Sequence, residues 1–179
     1  MPELAEVEVY RRLAQEQALD RPIAAVFAPD AWYLKGGLAA PALTSVLVGR
    51  RLVSAGRQGK LLMLATSDDG PVLGLRFGMS GRLIVDSTIG VPDLQYASNR
   101  DDARWDRFAL DFADGGRLVM RDPRRLGGVT LDPGLSRLGP DALTITLGQF
   151  RHALAPARPQ RPAPAAASAA ASAAASAAA

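Results

Sequence analysis

The chain has 179 residues, 48% of them hydrophobic, and a formal net charge of +3, which suits one globular domain with a sizeable core. It contains no cysteine and a single histidine, His152, so disulfides, a thiolate zinc site, an iron–sulfur cluster and a histidine-based metal centre are excluded, and neither metal nor cofactor is expected. No run approaches the ~18 apolar residues of a membrane span, and the N-terminus opens with acids instead of a basic region followed by an apolar one. A monomeric cytoplasmic protein with no membrane partner is therefore expected.

Leu4, Val7, Tyr10 or Arg11, Leu13 and Ala14 recur at helical spacing, predicting a helix over residues 3–17. Pro2 then falls at its first turn, where a missing amide hydrogen costs nothing. From Pro22 to about Leu131 the pattern changes to short apolar runs such as Ile23-Ala24-Ala25-Val26-Phe27, Leu61-Leu62-Met63-Leu64 and Val72-Leu73-Gly74-Leu75. Asp68-Asp69-Gly70 and Asp114-Gly115-Gly116 each separate two such runs, as hairpin turns do. Around the second turn, residues 108–112 are expected to pair with residues 117–120.

Residues 87–103 are polar and aperiodic, and a long surface loop is expected there. Residues 147–154 are expected to begin a further helical element. Beyond Pro156 the chain turns to Pro, Arg and Gln, then to an Ala/Ser repeat that cannot build a core. The expected division is a globular unit at 1–146, the start of a helical element at 147–155 and a low-complexity tail at 156–179. The fold class is α+β and mainly β, two antiparallel sheets packed as a sandwich behind an N-terminal helix.

Of the 21 basic residues all but Lys35 and Lys60 are arginine. The planar guanidinium fork suits phosphate, although a GC-rich genome gives the same excess. Once an initiator methionine is removed, Pro2 would carry a free secondary amine, a nucleophile with a pKa near ~8 that a helix N-terminus lowers further. Attack on an aldehyde-like sugar carbon gives an iminium ion, which acidifies the neighbouring carbon and permits elimination. Glu3 and Glu6, three residues apart on the same helix, are placed to act as acid and base. Proline and glutamate are also simply good first-turn residues, and this segment alone leaves both explanations open.

Several separated motifs bear on that choice. They are Met1-Pro2-Glu3-Leu4-Ala5-Glu6-Val7-Glu8, then Gly59-Lys60-Leu61-Leu62 preceded by Arg57, and Gly78-Met79-Ser80-Gly81-Arg82-Leu83. Asp122-Pro123-Arg124-Arg125-Leu126-Gly127 and Leu138-Gly139-Pro140-Asp141-Ala142-Leu143 complete the series. In this order and spacing, over roughly residues 1–150, they resemble the N-terminal catalytic domain of the formamidopyrimidine-DNA glycosylase and endonuclease VIII-like family.

That resemblance implies a bifunctional base-excision repair enzyme acting on damaged double-stranded DNA. Such an enzyme removes an oxidised or ring-opened base and nicks the strand by β- and δ-elimination. It would be bacterial and cytoplasmic, joining the nucleoid when bound to DNA. The resemblance implies Pro2 as nucleophile, Glu3 as proton donor and acceptor, Glu6 as a supporting carboxylate and Lys60 as the group holding the neighbouring phosphate. It further implies that Met79, Arg124 and Leu126 fill the hole left by an extruded base, with Arg57 and Arg125 beside the DNA. A Met or Leu wedge suits unstacked bases, and arginine can bond an orphaned one.

The chain also departs from the family pattern. Ala5 replaces a proline, Leu126 replaces an aromatic residue, and Arg76-Phe77 stands where His-Leu is usual. A four-cysteine finger is impossible, and no counterpart is expected of the family's helix–two-turn–helix domain, with its asparagine-bearing loop, or of its finger arginine. Each lost phosphate contact removes affinity. A non-catalytic module that binds damaged DNA, lacking those two elements, is therefore the alternative function.

Overall fold

The computed structural model describes residues 2–94, 100, 102–136 and 138–154. Met1, the centre of the 87–103 segment and the tail at 156–179 lie outside the described residues, as do the expectations attached to them. The first helix, α1 (Leu4–Gln17), buries Val7, Tyr10, Leu13 and Ala14, the stripe that its apolar spacing predicted. Strand β1 (Ile23–Phe27) follows. A short 3-10 turn at Ala31–Tyr33 comes next, its start capped by Asp30, which accepts from the Trp32 N–H at 3.1 Å.

A second helix, α2 (Ala40–Leu47), lies within the stretch read as short apolar runs and was not anticipated. Pro41 sits in its first turn, and Leu43 and Leu47, four apart, face the core. Strands β2 (Leu52–Gln58), β3 (Leu61–Thr66), β4 (Leu73–Arg76), β5 (Arg82–Val85) and β6 (Thr88–Ile89) come next. They are followed by β7 (Asp106–Phe112), β8 (Arg117–Arg121), β9 (Gly128–Leu131) and a closing helix, α3 (Leu147–Leu154).

The strands form two antiparallel sheets, as expected, one of five strands in the order β1-β7-β8-β5-β6 and one of four in the order β2-β3-β4-β9. Both anticipated hairpins are present. Leu62 pairs with Leu75 around the 68–70 turn, where Asp68 and Asp69 have positive φ, and Phe108 pairs with Met120 around the turn at Gly115. The segment expected to be wholly loop is a correction. Thr88 and Ile89 pair with β5, Ile89 packs beside Ile84, Ala109 and Val119, and Ala103–Trp105 makes a 3-10 turn.

The core lies between the sheets. Leu62, Leu64, Leu73, Leu75 and Val129 from the four-stranded sheet meet Leu83, Phe108, Leu110, Leu118 and Met120 from the other. Val7, Tyr10, Leu13, Leu43 and Leu47 cover it from the helices. Burial of this many large side chains, each worth ~1.5–3 kcal/mol, fixes α1 against the sheets. Its N-terminal end is thereby held at one edge of the sandwich, beside the β2–β3 turn.

Candidate active site

Pro2 is buried, and Glu3 and Glu6 flank the start of α1. The Glu3 N–H donates to Glu6 Oε2 at 2.9 Å, and the Glu3 carbonyl accepts from the Val7 N–H at 3.1 Å. Glu6 thus satisfies an amide that a helix start leaves without an intrahelical partner. The β2–β3 turn brings in the next group. Gly59 has φ +56°, a left-handed conformation that glycine adopts without cost, and the turn carries Lys60 so that its Nζ makes an ion pair with the Glu3 carboxylate. Both side chains are 49% exposed, so the pair is accessible to solvent and to a ligand.

Pro2, Lys60, Arg76, Phe77, Gly78 and Leu126 line one cleft of about 200 Å³. Its floor is anchored to α1. The Tyr10 and Phe77 rings lie 4.5 Å apart, and the Tyr10 hydroxyl donates to the Gly81 carbonyl at 3.2 Å. One wall is a turn at residues 77–81, whose Gly78 has φ +57°. A Cβ at Gly78 would overlap the Leu126 and Gly127 backbone, so the glycine lets this turn rest directly on the loop at residues 122–127.

Met79 is half-buried on the first of these segments. Arg124 and Leu126 are exposed on the second, Leu126 at 53%. Arg125 has φ +57° and turns its guanidinium away to Asp30, donating through Nε at 2.6 Å and through a terminal nitrogen at 2.7 Å. That contact holds the Asp30 carboxyl below the usual carboxylate range.

Arg57, expected beside the DNA, sits away from the cleft in a cluster of its own. Its side chain is 4% exposed. Its Nε donates to Glu8 Oε2 at 3.1 Å, its two terminal nitrogens donate to Asp141, and one of them also reaches the Gly59 carbonyl at 3.0 Å. Asp141 in turn accepts from the Gly59 N–H at 2.6 Å. The cluster joins α1, the β2–β3 turn and the 138–143 segment, and it leaves the Arg57 guanidinium no open side for a phosphate.

The acids in this cluster are firmly ionised. Hydrogen bonds from Arg11, with further ones from Arg57 and Arg12 outweighing burial, hold Glu8 at about 2. The Arg57 fork, helped by the Gly59 and Leu143 amides, holds Asp141 at about 2.

The structure therefore brings Pro2, Glu3, Lys60 and Leu126 to one place, sets Met79 and Arg124 on the adjoining segments, and uses Arg57, Arg125 and Glu6 to hold the protein's own parts. Arg76 and Phe77, which sequence reasoning noted only as departures, line the cleft itself. Their position directly before Gly78 was the available signal. Among the described residues no group of three or more Asp, Glu or His side chains is arranged to hold a metal ion. No helix there is long and apolar enough to cross a membrane.

The family model for the formamidopyrimidine-DNA glycosylase N-terminal domain matches residues 1–129. A formamidopyrimidine-DNA glycosylase from Arabidopsis thaliana is 32% identical over 167 residues, 87% of this chain and 42% of that protein. One from Teredinibacter turnerae is 38% identical over 154 residues, 80% of this chain and 51% of its own length. Among solved structures, Lactococcus lactis formamidopyrimidine-DNA glycosylase, bound non-covalently to DNA containing an abasic site, superposes with a TM-score of 0.58 at 26% identity. That match covers 73% of this chain and 45% of that one. The chain spans about half the length of the relatives it matches.

Proposed function

The chain belongs to the formamidopyrimidine-DNA glycosylase family, and from that premise we propose that it is a base-excision repair protein. Its substrate is damaged double-stranded DNA, and it works as a DNA glycosylase and abasic-site lyase through an N-terminal proline. The observation that carries this reading is the convergence, in one cleft, of Pro2 with Lys60 and its partner Glu3, groups nearly sixty residues apart in sequence.

In this mechanism the Pro2 nitrogen attacks C1′ of the damaged nucleotide. The C–N glycosidic bond breaks, and the base leaves with a proton supplied from Glu3. The nitrogen gives up its proton, and its lone pair then forms the iminium ion as the C1′–O4′ bond breaks and O4′ takes up a proton. A proton is lost from C2′, and the 3′-phosphate departs with the electron pair of the C3′–O3′ bond. Lys60, at the mouth of the cleft, neutralises the phosphate beside the reacting sugar, and Arg76 lies close enough to share that charge. The chemistry requires Pro2 to be the first residue, since an amide nitrogen cannot attack.

Borohydride trapping on abasic and 8-oxoguanine duplexes tests the reading, together with the intact mass. A covalent adduct that forms with wild type on both duplexes, is lost on the 8-oxoguanine duplex with Glu3→Gln, and is lost on both with retained methionine, is the expected result. An adduct unchanged by Pro2→Gly overturns the mechanism. Salt-sensitive binding to abasic DNA with no adduct and no cleaved strand supports the non-catalytic binding module instead.

A further inference from the structure

The two segments that wall the cleft are fastened together by a buried polar cluster that the proposed chemistry does not use. Ser80 and Asp122 are both 0% exposed, and Ser80 Oγ donates to Asp122 Oδ1 at 2.6 Å. The Arg124 N–H is shared between Ser80 Oγ at 3.3 Å and Asp122 Oδ1 at 3.2 Å, and the Gly127 N–H donates to Asp122 Oδ2 at 2.8 Å. Behind the cluster, the Asp122 N–H donates to the Trp105 carbonyl at 2.8 Å, and the Asp122 carbonyl accepts from Arg107 Nε at 3.0 Å.

A buried carboxylate is tolerated only when hydrogen bonds surround it. Here the donors come from both segments, Ser80 from one and the Arg124 and Gly127 amides from the other. If the segments part, the carboxylate loses the Ser80 donor that spans them. The backbone contact at Gly78, which admits no Cβ against Leu126, closes the same seam from the other side.

Resting on the glycosylase reading above, we infer that Ser80 and Asp122 are positioning residues that lock Met79, Arg124 and Leu126 into one rigid wedge. Filling the hole left by an extruded nucleotide and bonding its orphaned partner then occur as a single event. Wedging apart a base step costs energy that contacts with the bent DNA must repay. Two independently mobile segments would each lose conformational freedom on insertion as well, and a prefastened wedge has already lost it.

The test uses the full chain. With 2-aminopurine opposite an abasic-site analogue in a duplex, wild type brightens the probe as the wedge enters the stack. Ser80→Ala removes only the hydroxyl and is expected to weaken that response about tenfold in protein concentration, the scale of a small misplacement at a site. Trapping on an abasic sugar in single-stranded DNA stays within about twofold of wild type, because that substrate has no partner strand to wedge and Pro2, Glu3 and Lys60 make no bond to the latch.

Equal brightening by Ser80→Ala and wild type overturns the inference, and so does an equal loss of both readouts, which general damage to the fold would give. Amide hydrogen exchange decides the matter without DNA. Ser80→Ala should speed exchange at residues 78–81 and 122–127 together, and acceleration confined to one segment overturns the rigid wedge. Wild type that neither traps nor brightens overturns the glycosylase reading, while the exchange result still decides the latch.

Discussion

Glu3 and Lys60 are half exposed, and their ion pair contributes little to stability, of the order of 0–1 kcal/mol. A pair so placed is free to act on a ligand. Lys60→Ala should therefore leave the thermal midpoint within about 2 °C of wild type while lowering the rate of borohydride trapping by about 10²-fold, the usual scale for losing one preorganised charge. Trapping and a thermal melt on one sample check both halves. Gly78 is the opposite kind of residue. Gly78→Ala puts a Cβ into the Leu126 backbone at φ +57°, and a cost of about 2–4 kcal/mol in chemical denaturation is expected from strain and overlap together. Residue type alone left Pro2 and Glu3 open between amine chemistry and a good first turn, and it was the resemblance of several separated motifs to one family that singled them out together with Lys60. Neither could show that Glu6 would spend an oxygen on the Glu3 amide, or that Arg125 would fold back on Asp30 from 95 positions away.

At the level of elements, α1 and both hairpins followed from local pattern, a helical stripe in one case and Asp/Gly turns between apolar runs in the other. Helix α2 did not. Its eight residues, Ala40–Leu47, are too few and too evenly apolar for periodicity to separate helix from strand. The Arg57 cluster was beyond reach for another reason, since Glu8 and Asp141 stand 49 and 84 residues away. It welds α1 to the β2–β3 turn, and its pH dependence follows.

Glu8 and Asp141 titrate at about 2 in the folded chain against ordinary values of 4.5 and 3.8. Their folded values are depressed, so the stabilisation is complete above the unfolded values and is lost as pH falls from about 5 towards 2. Wild type should lose on the order of 2–3 kcal/mol per group across that window at most. Arg57→Met removes a shared partner, so the same denaturation series at pH 7, 5, 4 and 3 should show a lower stability at pH 7 and a flatter acid limb. An acid limb as steep as that of wild type would mean that Arg57 is not what holds Asp141 ionised, since Glu8 keeps Arg11 and Arg12 in the variant.

For the molecule as a whole, the excess of arginine over lysine reads differently once the side chains are placed. Arg21 pairs with Asp86 and Asp114, Arg57 with Glu8 and Asp141, and Arg125 with Asp30. Much of the arginine therefore holds the sandwich together, and a bare count overstates the cationic surface left for a ligand. Among the described residues the cations at or beside the cleft are Lys60, Arg76 and Arg124. Each phosphate neutralised adds about −0.7 to −0.9 to the slope of log affinity against log salt, so these three predict a slope of roughly −2 to −3. Arg124→Gln should make it shallower by about one unit, and Lys60→Gln likewise. Arg57→Gln, with its guanidinium enclosed by Glu8 and Asp141, should weaken the fold but leave the slope unchanged in whatever fraction remains native. Binding of an abasic duplex between about 50 and 200 mM salt separates the two classes. If Arg57→Gln alone made the slope shallower, arginine 57 would belong to the DNA surface after all, and the enclosure by Glu8 and Asp141 would have to open on binding.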